Sequence, residues 1–136
     1  MAGAGTKLRP HTYTQPKALI PLAGKTILSI IVDQLVEAGV DEFIFIIGYL
    51  GDKIQDFVRE KYPHLQTHFI QQNERLGLGH AVLLSRNIVQ QDEMIIVLGD
   101  SICEYDVRAV LSSGHSLLCV KRVDDPREFG VAEINE

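Results

Sequence analysis

Short, uninterrupted runs of apolar residues recur along the chain between segments whose apolar residues follow helical spacing. The runs at residues 43–47 and 94–98 are the most apolar, and each is too short for a typical helix. Runs of this length are typical of strands buried on both faces of a parallel sheet. Because such strands alternate here with helices, the sequence predicts an α/β fold with a largely parallel sheet.

Caps and helix breakers place the predicted elements. Thr26 is expected to cap a helix from Ile27 to Ala38 that stops before Gly39, and Asp52 is expected to cap a second helix that ends before Pro63. The remaining predicted elements are strands at Phe43–Ile47, Thr67–Gln71, Met94–Leu98, Leu117–Val120 and Val131–Ile134, and helices at His80–Val89 and Asp106–Leu111. In open α/β sheets ligands bind beyond the carboxyl ends of strands, which directs attention to residues 48–51, 71–79 and 99–101.

Composition limits the classes of partner. The chain has 136 residues, which suits one domain, and its formal net charge of -5 argues against a general nucleic-acid binder. No apolar run approaches the roughly 18–20 residues that span a bilayer. The two cysteines have neither metal-binding nor redox spacing, so a reducing cytoplasm and buried, packing cysteines are expected.

The basic charge is concentrated at the start of the chain, where the first 32 residues hold four basic residues and no acidic residue. Within this stretch, the glycines of residues 3–5 precede Lys7, an order that lets backbone N–H groups approach an anion closely. A dinucleotide fingerprint is excluded because Leu8 stands at its third glycine position. A solvated turn remains the alternative interpretation of these glycines.

Two further charged residues are candidates for a phosphate and metal site. Lys17 lies between two prolines, which restrict its backbone, and a lysine held in this way binds phosphate as a point charge. Asp100 follows the apolar run at residues 94–98, at the expected ligand edge of the sheet, where one aspartate beside phosphates is a typical Mg²⁺ ligand. An exposed lysine and a turn aspartate are the alternatives.

Two glycine segments receive different interpretations. Gly77 and Gly79 lie between a predicted strand and a predicted helix, where they permit close approach of a planar ligand, and His80 either donates to that ligand or begins the helix. Residues 24–26 resemble the end of a P-loop, but Leu19 stands where the first glycine of that motif belongs. A β-turn that leads into the capped helix explains residues 24–26 better.

Three segments of the sequence together resemble, in their order and spacing, the sugar nucleotidyltransferases, also called NDP-sugar pyrophosphorylases. They are residues 2–10, the Pro16-Lys17 pair and the Gly99-Asp100 pair. The resemblance implies a Rossmann-like fold with a mostly parallel sheet and helices on both faces. It also implies an enzyme that joins a sugar 1-phosphate to a nucleoside triphosphate and releases pyrophosphate. Residues 77–82 are especially similar to bacterial UTP–glucose-1-phosphate uridylyltransferases, which favours UTP and glucose 1-phosphate, and the expected nucleotide is UTP or dTTP.

The resemblance assigns roles residue by residue. Lys7, Lys17 and Asp100 would be the catalytic residues, with Asp100 also binding Mg²⁺, although Lys7 stands where the family usually has an arginine that makes a bidentate contact. Gly130 would lie against the sugar. The nucleotide-binding residues would be Ala2, Gly3, Gly5, Thr6, Gln72, Gly77, Gly79 and His80.

The resemblance further implies that residues 1–136 are the nucleotide-binding part of a longer domain. The family's central strand before the glycine loop, its Glu-Lys-Pro segment and its second metal-binding aspartate have no counterpart here, so these residues alone are expected to be inactive or nearly so, and to self-associate. A non-catalytic nucleotide-binding module and a nucleotidyltransferase for a non-sugar phosphate remain the alternatives. The expected partners are the two substrates, with no nucleic acid and no membrane.

Overall fold

The structure of the chain, a computed structural model, describes residues 14–74, 76–90, 93–128 and 130–133 and divides the chain into two units, residues 1–105 and 106–136. Two 3-10 turns, at Lys17–Leu19 and Pro126–Glu128, accompany the strands and helices. In chain order the strands and helices are β1 (Pro21–Leu22), β2 (Lys25–Thr26), α1 (Ile27–Glu37), β3 (Glu42–Ile47), α2 (Gly51–Lys61), β4 (Gln66–Gln71), α3 (Leu78–Leu84) and α4 (Val107–Leu111).

The start of α1 confirms the predicted cap. The Thr26 hydroxyl accepts a hydrogen bond from the Ser29 N–H at 3.0 Å, and the Ser29 hydroxyl accepts one from the Thr26 N–H at 3.0 Å. This reciprocal pair satisfies two N–H groups that a helix start leaves without partners. Ala23 and Gly24 form the turn of the β1–β2 hairpin, and β2 leads directly into the capped helix, so residues 24–26 are not the end of a P-loop.

The end of α1 also follows the prediction. Gly39 has a positive φ of 100° and donates to the Val36 carbonyl, while Val40 donates to the Leu35 carbonyl at 3.0 Å. These two bonds form a Schellman motif, for which a glycine is the preferred residue at the left-handed position. Gly39 therefore ends α1 and turns the chain towards β3.

Strands β3 and β4 pair in parallel, with Glu42 opposite Gln66 and Ile47 opposite Gln71. On one face of this pair, Phe43 stacks on Phe45, and Phe45 stacks on Phe69 at a centroid distance of 5.3 Å. Because the alternate residues of β3 are only half-buried, the expectation that this strand is buried on both faces is wrong for the described part of the chain. The α/β class itself is confirmed.

Helix α2 packs on the phenylalanine face of the β3–β4 pair. The Arg59 guanidinium lies 5.6 Å from the centroid of the Phe69 ring, and a Cβ atom added to Gly51 would come within 2.9 Å of the Ile47 side chain. A side chain at the first residue of α2 would clash with Ile47, so this position requires glycine. Leu50, not the expected Asp52, occupies the N-cap position, and Asp52 lies in the first turn.

A buried tyrosine joins α2 to α1. The Tyr62 hydroxyl donates to Asp33 Oδ1 at 2.7 Å, and Lys25 donates to Asp33 Oδ2 at 2.8 Å. Burial alone would raise the pKa of Asp33, but the hydrogen bonds from Lys25 and Tyr62 outweigh it and hold that pKa below its ordinary value. Burial and the Asp33 carboxylate raise the pKa of Tyr62.

Three of the strand predictions are wrong for the described residues. The structure has no strand at residues 94–98, 117–120 or 131–133. Met94 and Ile96 are 56% and 55% exposed, so the run is neither paired nor buried. An apolar run becomes a strand only when a neighbouring segment accepts and donates backbone hydrogen bonds. In the described sheets, β3 and β4 pair only with each other, and Ile134 of the last predicted strand lies outside the described residues.

The shorter helices fall close to their predicted positions. The third predicted helix is observed as α3, which begins and ends earlier than expected. Residues 85–88, which were expected to be helical, form turns. Asp106 caps α4 by accepting from the Ala109 N–H at 3.1 Å. Cys103 and Cys119 are free and exposed, so the expectation that they pack in the core is wrong. None of the described helices has the length and apolar character that crossing a membrane requires.

Replacing Tyr62 with phenylalanine removes one donor to a charged acceptor and is expected to lower the free energy of unfolding by about 1–2 kcal/mol at neutral pH. Since the Asp33 pKa is lowered in the folded state, this contribution is present above the ordinary carboxyl range and is lost as pH falls through the folded value. Urea unfolding of both proteins at several pH values measures the difference. Equal stability at neutral pH would contradict this role of Tyr62.

Candidate functional site

The segment that carries Lys17 is held in a 3-10 turn. Pro16 precedes the turn, the Pro16 carbonyl accepts from the Leu19 N–H at 2.9 Å, and Ala18 and Leu19 are buried. The Gln15 side chain, which precedes the turn, also donates to the carbonyl of Leu19, the last residue of the turn, at 2.7 Å. Proline fixes the backbone that enters the turn, so Lys17 extends from a held segment, as the sequence predicts.

Asp100 lies in a turn in which the Ser101 N–H donates to the Leu98 carbonyl at 3.2 Å. The Ser101 hydroxyl also donates to Asp100 Oδ1 at 3.3 Å. One carboxylate oxygen is thus supported by the neighbouring residue, and the other oxygen, Oδ2, faces a different part of the chain.

Lys17 and Asp100 are 83 residues apart in sequence and form an ion pair, with Lys17 Nζ donating to Asp100 Oδ2 at 2.9 Å. The two side chains are 33% and 51% exposed. Exposed pairs contribute only about 0–1 kcal/mol to stability. The pair therefore adds little to the fold, while it places one cationic and one anionic group at a point that solvent and ligands can reach.

The ammonium group of Lys17 sets the protonation of its partner. Its hydrogen bond to the carboxylate outweighs the opposing effect of burial, and the pKa of Asp100 lies below the ordinary aspartate value. Asp100 is an anion at neutral pH, as a ligand of a hard divalent cation must be.

A second group of predicted residues meets just beyond β4. The Gln72 N–H donates to the Ile47 carbonyl at 2.8 Å, which extends the β3–β4 pairing by one residue, and the Gln72 side chain is buried. Gln72 Nε2 lies 3.3 Å from the Gly77 carbonyl oxygen and 3.1 Å from His80 Nδ1. Gly77 has a positive φ of 92° and forms the N-cap of α3, and a Cβ atom added to Gly79 would meet open space.

The loop after β3 borders the same edge of the sheet. Its Gly48 carbonyl accepts from the Gly51 N–H at 2.9 Å and lies 3.4 Å from Gln71 Nε2. Parallel strands release their following loops at one edge, so residues 48–51 and 72–74 lie at the same edge of the sheet, where the sequence predicts a ligand.

The sequence interpretation missed Lys53. This residue lies in the first turn of α2, and its Nζ donates to the Thr14 carbonyl at 2.7 Å, which fixes the chain shortly before Lys17. A lysine at the positive end of a helix is electrostatically unfavourable unless something offsets it. That unusual placement is the signal from which Lys53 could have been predicted.

Several predicted site residues are not located by the structure. Five of them lie outside the described residues: Ala2, Gly3, Gly5, Thr6 and Lys7. Gly130 is described within the unit of residues 106–136, where an added Cβ atom would meet open space. The roles of these residues stay predictions.

The donor set at Asp100 fits Mg²⁺ as far as the described residues extend. The carboxylate supplies hard anionic oxygens that are half-exposed, and Ser101 adds a hydroxyl beside them. No cluster of three His, Cys, Asp or Glu residues occurs in the described part of the chain. An ion at Asp100 would thus take most of its ligands from substrate phosphates and water, which is how Mg²⁺ is commonly bound.

The chain belongs to the nucleotidyl transferase family, whose pattern it matches over residues 1–136. It is 37% identical over 133 residues to the bifunctional protein GlmU of Methanococcus vannielii, covering 98% of this chain and 31% of that protein. It is 36% identical over 142 residues to the UTP–glucose-1-phosphate uridylyltransferase AglF of Haloferax volcanii, covering 99% of this chain and 58% of that protein. The chain thus spans between about a third and three-fifths of these two relatives.

Solved structures show the same fold. The chain superposes on the crystal structure of HddC from Yersinia pseudotuberculosis in complex with GMP-PN, with a TM-score of 0.71 and 30% identity. The match covers 82% of this chain and 50% of that one. The described strands and helices are therefore part of the Rossmann-like fold of nucleotidyltransferases.

Replacing Lys17 with methionine is expected to raise the pKa of Asp100 back towards its ordinary value, because the variant removes the hydrogen bond that lowers it. In the unaltered protein the pair stabilises the fold at pH values above the ordinary carboxyl range, and this contribution is lost as pH falls through the lowered pKa. Carbon-13 NMR titration of the Asp100 carboxyl measures the shift.

The matched control for this experiment is Lys25→Met. Lys25 donates to Asp33 in the same way, so that variant should raise the pKa of Asp33 and leave the pKa of Asp100 unchanged. The free energy of unfolding should fall by less than about 1 kcal/mol in Lys17→Met. An unchanged Asp100 titration in Lys17→Met would contradict the ion pair.

Proposed function

We propose that the chain is the nucleotide-binding part of an enzyme that joins a sugar 1-phosphate to a nucleoside triphosphate, UTP or dTTP by preference. The products are an NDP-sugar and pyrophosphate. The observation that carries the proposal is the meeting of Lys17 with Asp100, two residues from distant parts of the chain with the charges that a metal-bound triphosphate requires. Membership of the nucleotidyl transferase family supports the reaction class.

The limited stabilisation from the Lys17–Asp100 pair argues for a functional role. A half-exposed ion pair contributes little to folding. The same exposure leaves the ammonium group able to exchange its carboxylate partner for a phosphate oxygen, and leaves the carboxylate able to bind a cation. A charge pair that is accessible and barely stabilising suits a site where ligands replace both partners.

The proposed reaction needs no nucleophile from the protein. An oxygen of the sugar 1-phosphate forms a bond to the α-phosphorus, the bond from that phosphorus to the oxygen shared with the β-phosphate breaks, and pyrophosphate leaves. Lys17 binds and orients the phosphate groups and offsets their negative charge, and Asp100 provides the carboxylate for the cation. Mg²⁺ supplies neutralisation of the charge on the phosphate oxygens when it is bound.

The remaining parts of the proposal concern residues whose roles rest on the family resemblance. Lys7 and the backbone of Gly3, Gly5 and Thr6, with Ala2, would hold the triphosphate, and Gly130 would lie against the sugar. Gln72, Gly77, Gly79 and His80 would surround the base. AglF is a uridylyltransferase by name, which supports a uracil nucleotide here.

We further propose a cytoplasmic protein that forms a homo-oligomer and has no nucleic acid partner. Free, exposed cysteines fit a reducing compartment, since disulfides form mainly in oxidising ones. The formal net charge of -5 disfavours binding to polyanions.

Thermal unfolding with UTP, dTTP, GTP, CTP and ATP, each with and without Mg²⁺, tests the proposal. A ligand that binds only the folded state raises the apparent stability, by about 2.7 kcal/mol at a hundred times its Kd. UTP and dTTP should raise the unfolding temperature most, and Mg²⁺ should add to the shift. Asp100→Asn should remove the part of the shift that depends on Mg²⁺.

Asp56→Asn provides the matched control, because Asp56 is an exposed aspartate of α2 and its variant should retain the whole Mg²⁺-dependent shift. A turnover assay with UTP and glucose 1-phosphate, run on the whole enzyme of which residues 1–136 are the proposed nucleotide-binding part, then separates an enzyme from a module that only binds nucleotide. Equal shifts for all five nucleotides, unchanged in Asp100→Asn, would contradict the assignment of the base and the metal.

A further inference from the structure

We infer that Gln34 is a positioning residue for the proposed nucleotidyl transfer. Gln34 lies on α1 and holds the backbone of residues 103–105, and it thereby keeps Asp100 in place when a ligand separates that carboxylate from Lys17. The inference rests on the proposed function, in which Asp100 holds the cation of the nucleotide. It gives Gln34 no contact with the substrate or with the metal.

The Gln34 side chain donates two hydrogen bonds to one short stretch of backbone. Its Nε2 atom lies 3.3 Å from the Cys103 carbonyl oxygen and 3.2 Å from the Tyr105 carbonyl oxygen. A backbone carbonyl only accepts, and an amide nitrogen has two hydrogens, so each carbonyl takes one of them. Turning the amide over would place Oε1, which cannot donate, against both carbonyls. The backbone of residues 103–105 therefore fixes the orientation of the amide that holds it.

The stretch that receives these bonds follows Asp100 closely and has no regular secondary structure. Residues 101–104 belong to neither a helix nor a strand, and Tyr105 lies at a bend. Backbone carbonyls outside helices and sheets take their hydrogen bonds from side chains or from water. A side chain from a neighbouring helix thus does for this stretch what a partner strand does within a sheet.

Helix α1 gives Gln34 a fixed base. Thr26 caps the start of the helix, and a glycine motif ends it. Leu28 and Val32, on its buried face, are 2% and 1% exposed. A contact made from a packed helix is positioned more precisely than one made from a loop. The position of residues 103–105 is therefore set by the packing of α1.

The same helix supports the turn that carries Lys17. The N–H of Ile27, the first residue of α1, donates to the Ile20 carbonyl at 3.3 Å, and the Ile20 N–H donates to the Lys17 carbonyl at 3.1 Å. Gln34 follows Ile27 by about two helical turns. One helix therefore holds the segment of the cationic group at its start and the segment of the carboxylate further along, whether or not the two charges are in contact.

The proposed function requires such a support, because the ion pair opens when its ligand binds. A phosphate oxygen replaces Asp100 beside Lys17, and a cation replaces Lys17 beside Asp100, so the 2.9 Å contact is lost. An exposed ion pair is in any case a weak restraint. The bonds from Gln34 go to backbone carbonyls, which the ligand does not replace. They persist in the complex and keep the carboxylate where the cation meets it.

Gln34→Met tests the inference, because methionine is unbranched, has a similar length and removes both donors. Gln55→Met is the matched control, since Gln55 is a glutamine of α2 that is half-buried like Gln34. Circular dichroism and thermal unfolding establish that both variants fold. Calorimetric titration then gives the Kd of UTP with Mg²⁺ and with EDTA in each protein.

We expect Gln34→Met to weaken UTP binding in Mg²⁺ by about five- to tenfold, which is the loss of about one net hydrogen bond. Binding in EDTA should stay within about twofold, because it does not use the carboxylate. Gln55→Met should change neither value. Equal weakening with Mg²⁺ and with EDTA is the result of a purely structural role and overturns the inference.

Paramagnetic broadening gives a readout that a general loss of packing does not produce. With Mn²⁺ and saturating UTP, the Asp100 carboxyl carbon should broaden less in Gln34→Met than in the unaltered protein. The Lys17 ε-carbon, whose turn is held separately, should broaden equally in both. Equal broadening of Asp100 in the two proteins, with an unchanged effect of Mg²⁺ on the Kd, overturns the positioning role and leaves the proposed function intact.

One check needs no variant. The side-chain amide hydrogens of Gln34 should exchange with solvent more slowly than those of the exposed Gln90, both in the free protein and in the complex with Mg²⁺ and UTP. Exchange in the complex as fast as that of Gln90 overturns the inference alone. Absence of UTP binding by the unaltered protein, with or without Mg²⁺, overturns the proposed function as well.

Discussion

Parallel pairing of β3 with β4 is the constraint on which the described site depends. The pairing sets the ends of both strands at one edge and continues through the bond from Gln72 to the Ile47 carbonyl. Stacked phenylalanines and α2 hold one face of the pair, and Gly51 allows α2 to begin directly beside Ile47. Because the core fixes these strands, the loops that follow them emerge beside one another, and a ligand can meet both.

Two charged side chains, those of Lys17 and Asp100, lie where this architecture lets them bind a ligand. Lys17 is held by a short turn behind Pro16, and Asp100 by a turn supported by Ser101, so the two charges meet although neither belongs to a strand. Their mutual attraction is partly screened by water, and the fold gains little from it. The arrangement contrasts with Asp33, whose partners Lys25 and Tyr62 join α1 to the elements around it. One aspartate serves packing, and the other remains accessible to ligands.

Local signals allowed much of this structure to be predicted. The Thr26 cap, the Gly39 stop and the strand at β3 follow from residue chemistry within a few positions. The apolar run at residues 94–98 predicts a strand but forms none, because hydrophobicity does not specify a hydrogen-bonding partner. Residue chemistry makes Lys17 and Asp100 candidates, but their 2.9 Å contact joins residues 83 positions apart and depends on how the chain between them folds. The orientation of the Gln72 amide could not be predicted at all, since it depends on which atoms of Gly77 and His80 reach it.

The central claim is that Lys17 and Asp100 together surround the metal-bearing phosphates of a nucleotide. Paramagnetic broadening tests it directly: Mn²⁺ replaces Mg²⁺ in a complex with UTP, and NMR follows the Lys17 ε-carbon and the Asp100 carboxyl carbon. Glu42, at the opposite end of β3, serves as the distant reference. The account predicts severe broadening of both Lys17 and Asp100 at saturating nucleotide, with Glu42 little affected. Sharp Lys17 and Asp100 signals under those conditions would contradict it.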